Sequence, residues 1–164
     1  MLFAAPARGL VAEPAAQAAS QASCHTLLTD AEVATVMGRP SPGAMTESPS
    51  GSSQCRWEWP DSDATAAASF ASDAAIRAGA SATKCCPTAS ASAVAQFFDY
   101  TVRSEQDLGS DLPVPLDGLG QRAVLFFDDV YLKVVAQRAD GVMQVTGGHI
   151  TREQLLALAR AMLR

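Results

Sequence analysis

The sequence predicts an α+β domain, in which an antiparallel β-sheet has its helices packed on one face in a two-layer arrangement. Capping-box signals mark helix starts near both ends of this region, and alternating apolar strands lie between them. The order helix, two strands, helix, three strands, helix also raises the hypothesis of a degenerate internal duplication. A chain of 164 residues can form one hydrophobic core. We therefore expect a single domain over residues 24–164.

Two helices have clear start signals. Thr29 and Glu32 have the spacing of a capping box, and Gly38 has the position of a helix C-cap, which predicts a short helix between them. Thr151 and Gln154 repeat the capping box before the last helix. The apolar positions of that last helix follow helical spacing and predict a face that packs on the sheet; they are Leu155, Leu158, Ala159, Met162 and Leu163.

The first half of the chain predicts two strands and one further helix. Residues 39–54 are rich in Pro, Gly and Ser, which is typical of a surface loop. Residues 55–59 alternate in the manner of a half-buried strand, and residues 64–72 are expected to form its partner. Residues 73–93 are ambiguous, but helical spacing becomes convincing over about 88–102.

The second half begins with a polar connection over residues 104–120 and continues with three strands. Residues 123–127 form a compact apolar run, and residues 130–137 alternate. The Asp140-Gly141 pair is typical of a hairpin turn before the next strand. We expect Gly147-Gly148 to end that last strand.

Composition excludes some classes of partner. The formal net charge is −5, whereas a nucleic-acid-binding surface needs a basic stripe that displaces phosphate counterions. The same charge argues against electrostatic docking to an anionic membrane. No segment approaches the ~20 consecutive apolar residues that a transmembrane helix needs.

Residues 1–23 form an Ala-rich leader. In one interpretation this leader is the remnant of a secretory signal, because Ala5-Pro6-Ala7 fits the small-x-small cleavage rule. In the other it is a disordered tail. We favour the export-related interpretation because the cysteine content agrees with it, and we expect an extracytoplasmic protein.

The chain has four cysteines, Cys24, Cys55, Cys85 and Cys86. An even count in a small exported chain favours disulfides, and four cysteines allow three connectivities. A bridge between Cys24 and Cys55 would tie the first helix to the sheet. The adjacent pair Cys85 and Cys86 has three options: a vicinal bridge, free thiols, or separate partners. A redox or metal site at this pair is the alternative, although adjacent cysteines are poorly spaced for one ion.

Two segments resemble a family of small exported domains that are common in actinobacterial lipoproteins and other cell-envelope proteins, mostly of unknown function. The first segment is Cys24–Val33 with the stop at Gly38 and a second cysteine in Cys55-Arg56-Trp57. The second is Val114–Ala123, which is similar to a Val-Pro-Gly-Leu-Gly-x-x-Ala pattern with inserted residues.

This resemblance implies an exported α+β domain with a Cys24–Cys55 disulfide, and it implies no catalytic residues. The chain departs from the family in two places. It lacks the apolar residue usual three positions before a lipidated cysteine, and it carries an insertion with Cys85-Cys86.

Aromatic residues are the candidates for a binding surface. They are Trp57, Trp59, Phe126, Phe127 and Tyr131. If the sheet face that carries Trp57 and Trp59 is not covered by a helix, it can bind a partner or an apolar ligand. Packing of these side chains in the core is the preferred interpretation.

Catalytic and metal-binding patterns are absent from the sequence. His25 and His149 have no fixed partner nearby in the chain. The acidic residues between 99 and 117 lack the spacing of a calcium loop and are expected to be solvated. No Gly-x-Ser-x-Gly, His-Glu-x-x-His or P-loop pattern occurs, so we expect no cofactor and no metal.

These observations predict a non-enzymatic binding or interaction module of the cell envelope, whose partner is a protein or a small molecule. One alternative is a domain that binds or senses a small apolar ligand. The other is a redox or metal-handling protein that uses Cys85 and Cys86.

Overall fold

The computed structural model describes residues 24, 26–47, 54–83, 93–127 and 130–164; the leader over 1–23 lies outside them. The elements in chain order are α1 (Asp30–Met37), β1 (Met45–Glu47), β2 (Gln54–Glu58), β3 (Thr65–Ser72), α2 (Asp73–Thr83), α3 (Ala93–Asp107), β4 (Val114–Pro115), β5 (Arg122–Phe127), β6 (Tyr131–Gln137), β7 (Gly141–Gly148) and α4 (Arg152–Met162). The strands form one antiparallel sheet in the order β1-β2-β3-β7-β6-β5-β4. The α+β class is confirmed.

Both predicted capping boxes are present. The Thr29 amide donates to the Glu32 carboxylate at 2.9 Å, and the Glu32 amide donates to the Thr29 hydroxyl at 3.2 Å. Gly38 ends α1 in the left-handed conformation, with φ 68°. Thr151 and Gln154 make the equivalent pair of bonds at the start of α4, at 2.9 and 3.2 Å. Local sequence therefore fixes where both helices begin.

Helices α1 and α4 cover one side of the sheet, which we call the first face. Val33 of α1 and Leu155 of α4 are completely buried there with strand residues such as Trp57, Val134 and Val145. These side chains form the larger of the two apolar clusters in the described part of the chain. The predicted apolar stripe of the last helix faces this cluster.

Helices α2 and α3 lie on the opposite side, the second face, where Ile76 and Phe98 pack against Val135 and Val142. Helices therefore pack on both faces of the sheet. The prediction of a two-layer arrangement with all helices on one face is wrong. The reason is visible in β6, where Val134 and Val135 are consecutive and both completely buried. Successive strand residues point to opposite faces, so such a strand needs cover on each side.

The two halves of the chain share an order of elements. Each runs helix, antiparallel strands, helix, and the halves meet where β3 pairs with β7. Within each half one helix lies on the first face and the other on the second. The suggested internal duplication thus has a counterpart in the order of elements.

Some elements differ from the sequence prediction. The ambiguous Ala-rich segment forms α2, and the expected surface loop contains β1. Helix α3 extends to Asp107, five residues beyond the predicted end, while residues 88–92 lie outside the described residues. The polar connection contains the two-residue strand β4.

Strand β7 ends at Gly148, so it includes both Gly147 and Gly148 and extends two residues beyond Thr146, where the sequence predicts its end. Their role is to allow close packing. A Cβ atom on Gly147 would lie 2.1 Å from Cδ1 of Ile150, and one on Gly148 would lie 2.8 Å from Oγ1 of Thr65. A side chain at either position would require the neighbouring Ile150 or Thr65 side chain to move.

Candidate binding surface

Cys24 and Cys55 form a disulfide, with an S–S distance of 2.09 Å and a Cα–Cα distance of 5.5 Å. Both cysteines are completely buried on the first face. The bridge joins the residues before α1 to strand β2, as the family resemblance implies. It closes a separation of 31 residues. The bridge thus holds α1 and its capping box against the sheet.

Trp57 and Trp59 are buried, with exposures of 0% and 4%, beneath the helices of the first face. The Trp57 indole donates to Asp30 Oδ1 at 3.1 Å, and the Trp59 indole donates to the carbonyl oxygen of Pro40 at 2.9 Å. The Arg39 guanidinium lies 4.6 Å from the Trp59 ring centroid. These contacts attach α1 and its following loop to β2, so the two indoles serve packing rather than an exposed aromatic surface.

Phe127 and Tyr131 are placed differently, at one end of the sheet where β5 ends and β6 begins. Their side chains are 42% and 53% exposed. Leu108, Leu112 and Val130 are also exposed, and they belong to the segments that reach this end. Val114 pairs with Leu125 at the start of β4, and Leu112 precedes it by two residues. We call Leu108, Leu112, Phe127, Val130 and Tyr131 the apolar patch.

A cavity of about 220 Å³ opens at the patch. Phe126 (only 2% exposed) lines it together with Phe127, Tyr131 and an ion pair. In that ion pair Lys133 Nζ lies 2.5 Å from Glu105 Oε1, and each side chain is 19% exposed. The ion pair joins the end of α3 to β6 and neutralises the one cation among the lining residues.

A second depression of about 130 Å³ continues across the second face from Tyr131 and Thr146. Arg56 and Ala67 also line it. The strand registers align Arg56, Ala67, Thr146 and Lys133 in one row across four strands. This row lies on the part of the second face beyond the apolar cluster that α2 and α3 cover. The apolar patch is therefore continuous with a more polar strip of sheet.

The remaining candidates are dispersed. His149 is exposed just before α4, with φ 51°, and its amide donates to the Val130 carbonyl oxygen at 3.3 Å. Asp99 forms an ion pair with Arg122 at 2.9 Å. Among the described residues, no three His, Cys, Asp or Glu side chains come together as a metal site. His25, Cys85 and Cys86 lie outside the described residues.

The carboxylate of Glu32, which belongs to the cap of α1 rather than to the patch, has a shifted pKa. The hydrogen bond from the Thr29 backbone amide lowers the pKa of Glu32 below its ordinary value of 4.5. Burial opposes this effect, while the Thr29 hydroxyl and the Arg164 guanidinium, 3.2 Å away, reinforce it. The electrostatics of this carboxylate thus stabilise a helix start.

Sequence reasoning named Phe127 and Tyr131 but missed the rest of the patch. Leu108 and Leu112 were assigned to a polar connection, although two exposed leucines among Gly, Ser and Asp were a usable signal. Glu105 and Lys133 are 28 residues apart, and nothing in the local pattern pairs them. Their juxtaposition requires the docking of α3 on β6.

No protein-family model, curated protein or solved structure matches this chain. Within the described residues, no helix has the length and apolar character to cross a membrane.

Proposed function

We propose that this protein is a non-enzymatic binding module of the cell envelope, and that it engages a protein partner through the apolar patch. The observation that carries the proposal is a cavity lined by the exposed side chains of Phe127 and Tyr131, with Leu108, Leu112 and Val130 exposed in the adjoining segments of the chain. Exposed apolar side chains that group at one place, rather than scatter singly, are typical of interaction sites. Aromatic residues such as Phe127 and Tyr131 are enriched at such sites.

The extracytoplasmic location is part of the proposal. A buried disulfide between Cys24 and Cys55 supports it, because disulfides persist in oxidising compartments and are rare in the cytosol. The resemblance to exported actinobacterial domains and the small-x-small sequence of the leader point the same way.

Binding of a small apolar ligand is a second candidate, favoured by the cavity itself. Ligand cavities usually enclose about 300–1,000 Å³ and bury most of their ligand. The cavity here measures about 220 Å³, and the Lys133–Glu105 ion pair lies in its lining. An apolar ligand would have to cover this ion pair at a cost in desolvation. The protein partner therefore fits better. The redox or metal-handling alternative, which rests on Cys85 and Cys86, stays a prediction from the sequence.

Site-specific photo-crosslinking in the source cell tests the proposal. A photoreactive phenylalanine analogue is placed at Tyr131, and in a matched variant at Tyr100, an exposed aromatic residue of α3 outside the patch. We expect envelope proteins to be crosslinked from position 131 and not from position 100. Equal crosslinking from both positions, or none, would overturn the assignment of the patch.

Native mass spectrometry of the purified protein separates the alternatives. A small molecule that copurifies and is lost in a Tyr131→Ser variant would support the ligand-binding candidate instead. Bound metal, or rapid labelling of Cys85 and Cys86 by a thiol reagent without prior reduction, would support the third.

A further inference from the structure

We propose that the partner of the apolar patch is a protein segment in which Arg or Lys side chains alternate with apolar ones. This inference rests on the proposed function and adds the chemistry of the partner. Two observations carry it: the charge of the exposed carboxylates that neighbour Leu108 and Leu112 in the chain, and the exposed aromatic rings of Phe127 and Tyr131 that line the cavity.

The rim of the patch is acidic. Residues 104–112 contain Glu105, Asp107 and Asp111 and no Lys or Arg, and one exposed arginine, Arg103, precedes them on α3. Glu105 is neutralised by Lys133, but Asp107 and Asp111 are exposed beside Leu108 and Leu112. Each exposed leucine thus has a carboxylate as its chain neighbour. A partner that offers only apolar side chains would leave these carboxylates facing an uncharged surface.

Phe127 lies on the first-face side of β5 and Tyr131 on the second-face side of β6, and each exposed ring suits the same partner. An Arg or Lys head group over an aromatic ring is attracted by the negative face of the ring, and its aliphatic stem packs on apolar surface. The chain itself uses this contact elsewhere: the Arg122 guanidinium lies 4.5 Å from the Phe98 ring centroid while it pairs with Asp99. A cationic side chain at the patch would find the same combination of ring and carboxylate.

The charge of the rim also decides against a lipid surface. An anionic membrane would be repelled by Asp107 and Asp111, since surface potentials favour basic and not acidic segments. A cationic and apolar protein segment complements both the apolar side chains and the carboxylates, which is how charge complementarity selects between partners.

Synthetic peptides of about ten residues test the inference by fluorescence anisotropy with the full chain. The first peptide alternates Leu and Arg, the second alternates Leu and Glu, and the third alternates Ser and Arg. We expect the Leu-Arg peptide to bind at least about ten-fold more tightly than either of the others. We also expect its affinity to fall as the salt concentration rises from about 50 to about 300 mM, because salt screens exposed charges.

Variants of the protein separate the patch from net charge. Asp107→Asn with Asp111→Asn should weaken the Leu-Arg peptide about five- to ten-fold at low salt, as expected for two charges near a cation in water. Asp63→Asn with Asp117→Asn removes the same charge from other exposed turns and should change affinity less than about two-fold. Leu112→Ser, at a side chain 80% exposed, tests the apolar contribution without disturbing the core, and should also weaken binding.

Four results would overturn the inference. Equal effects of the two double Asn variants would mean that only net charge matters. Equal binding of the Leu-Glu peptide would mean that the sign of the charge does not matter. Co-sedimentation with anionic vesicles that is lost in Leu112→Ser would make the patch a membrane-binding surface. If position 131 still crosslinks an envelope protein while the Leu-Arg peptide does not bind, the binding function stands and the cationic partner is refuted.

Discussion

Gly148 pairs with Tyr131 across strands β7 and β6, and the tyrosine ring lies over the place where a side chain would stand. A Cβ atom on Gly148 would lie 3.6 Å from Cε1 of Tyr131 and 2.8 Å from Oγ1 of Thr65. The absence of a side chain at Gly148 therefore leaves room for the Thr65 hydroxyl and lets the Tyr131 ring lie against the strand.

Replacement of Gly148 by Val is expected to destabilise the protein by about 1–3 kcal/mol, because the new side chain collides with Thr65 and displaces the Tyr131 ring. Urea denaturation measures the loss of stability, and the Leu-Arg peptide reports the loss of the patch. Gly79→Ala is the control: its Cβ would meet nothing within 4 Å, so this helix position should gain about 0.5–1 kcal/mol. A Gly148→Val protein as stable as wild type would contradict the packing argument.

Removal of the disulfide by Cys24→Ala with Cys55→Ala is expected to lower the free energy of unfolding by about 3–4 kcal/mol. The reason is that the unfolded chain regains the entropy of an open loop. Denaturant titrations of wild type and the double variant under non-reducing conditions measure the difference. A loss below about 1 kcal/mol would show that the bridge contributes little to holding α1 on β2.

Acidification should weaken the cap of α1. Because the folded-state pKa of Glu32 is lowered, its contribution is fully present above the ordinary value of 4.5 and is lost as the pH falls through the lowered pKa. At neutral pH we expect Glu32→Gln to cost about 0.5–1 kcal/mol, and we expect this difference to vanish under strongly acidic conditions. Glu153→Gln, an exposed first-turn acid of α4 outside the capping box, is the matched control. A difference that grows as the pH falls would contradict the sign of the shift.

The tryptophan environments can be measured directly. Since both indoles are buried, single variants Trp57→Phe and Trp59→Phe should each keep blue-shifted emission that iodide quenches only after unfolding. Trp57→Phe should also cost about 1–3 kcal/mol, because Asp30 loses the indole donor and the core loses volume. Red-shifted, readily quenched emission from either variant would mean that the first face is open.

Sequence predicts best the features that local chemistry determines. The start of α1 follows from Thr29 and Glu32, which contact each other within one helical turn. Helix α2 was missed because its Ala- and Ser-rich segment carries one large apolar residue, Ile76, and a single such residue sets no periodicity. The packing of Ile76 on the second face, which involves residues distant in the sequence, is what stabilises this helix.

The candidate site divides in the same way. Phe127 and Tyr131 were named because aromatic residues stand out in a sequence, but Trp57 was named with them for the same reason. Which aromatic residue is buried depends on the face that α1 covers, and the disulfide and the Asp30 contact determine this across long separations. From the sequence, Asp107 and Asp111 are expected to be part of a solvated connection. Their position near the cavity follows from the docking of α3 on β6, where Lys133 pairs with Glu105.

The outermost strands have a consequence for how the molecule behaves at high protein concentration. Pro115 occupies one border of the sheet and has no amide hydrogen to offer a neighbouring backbone, while β1 at the other border is only three residues long. Neither edge strand offers a second chain a long row of free backbone hydrogen-bonding groups with which to pair. We therefore expect the folded protein to resist fibril growth by strand stacking, which leaves side chains rather than backbone to govern its associations.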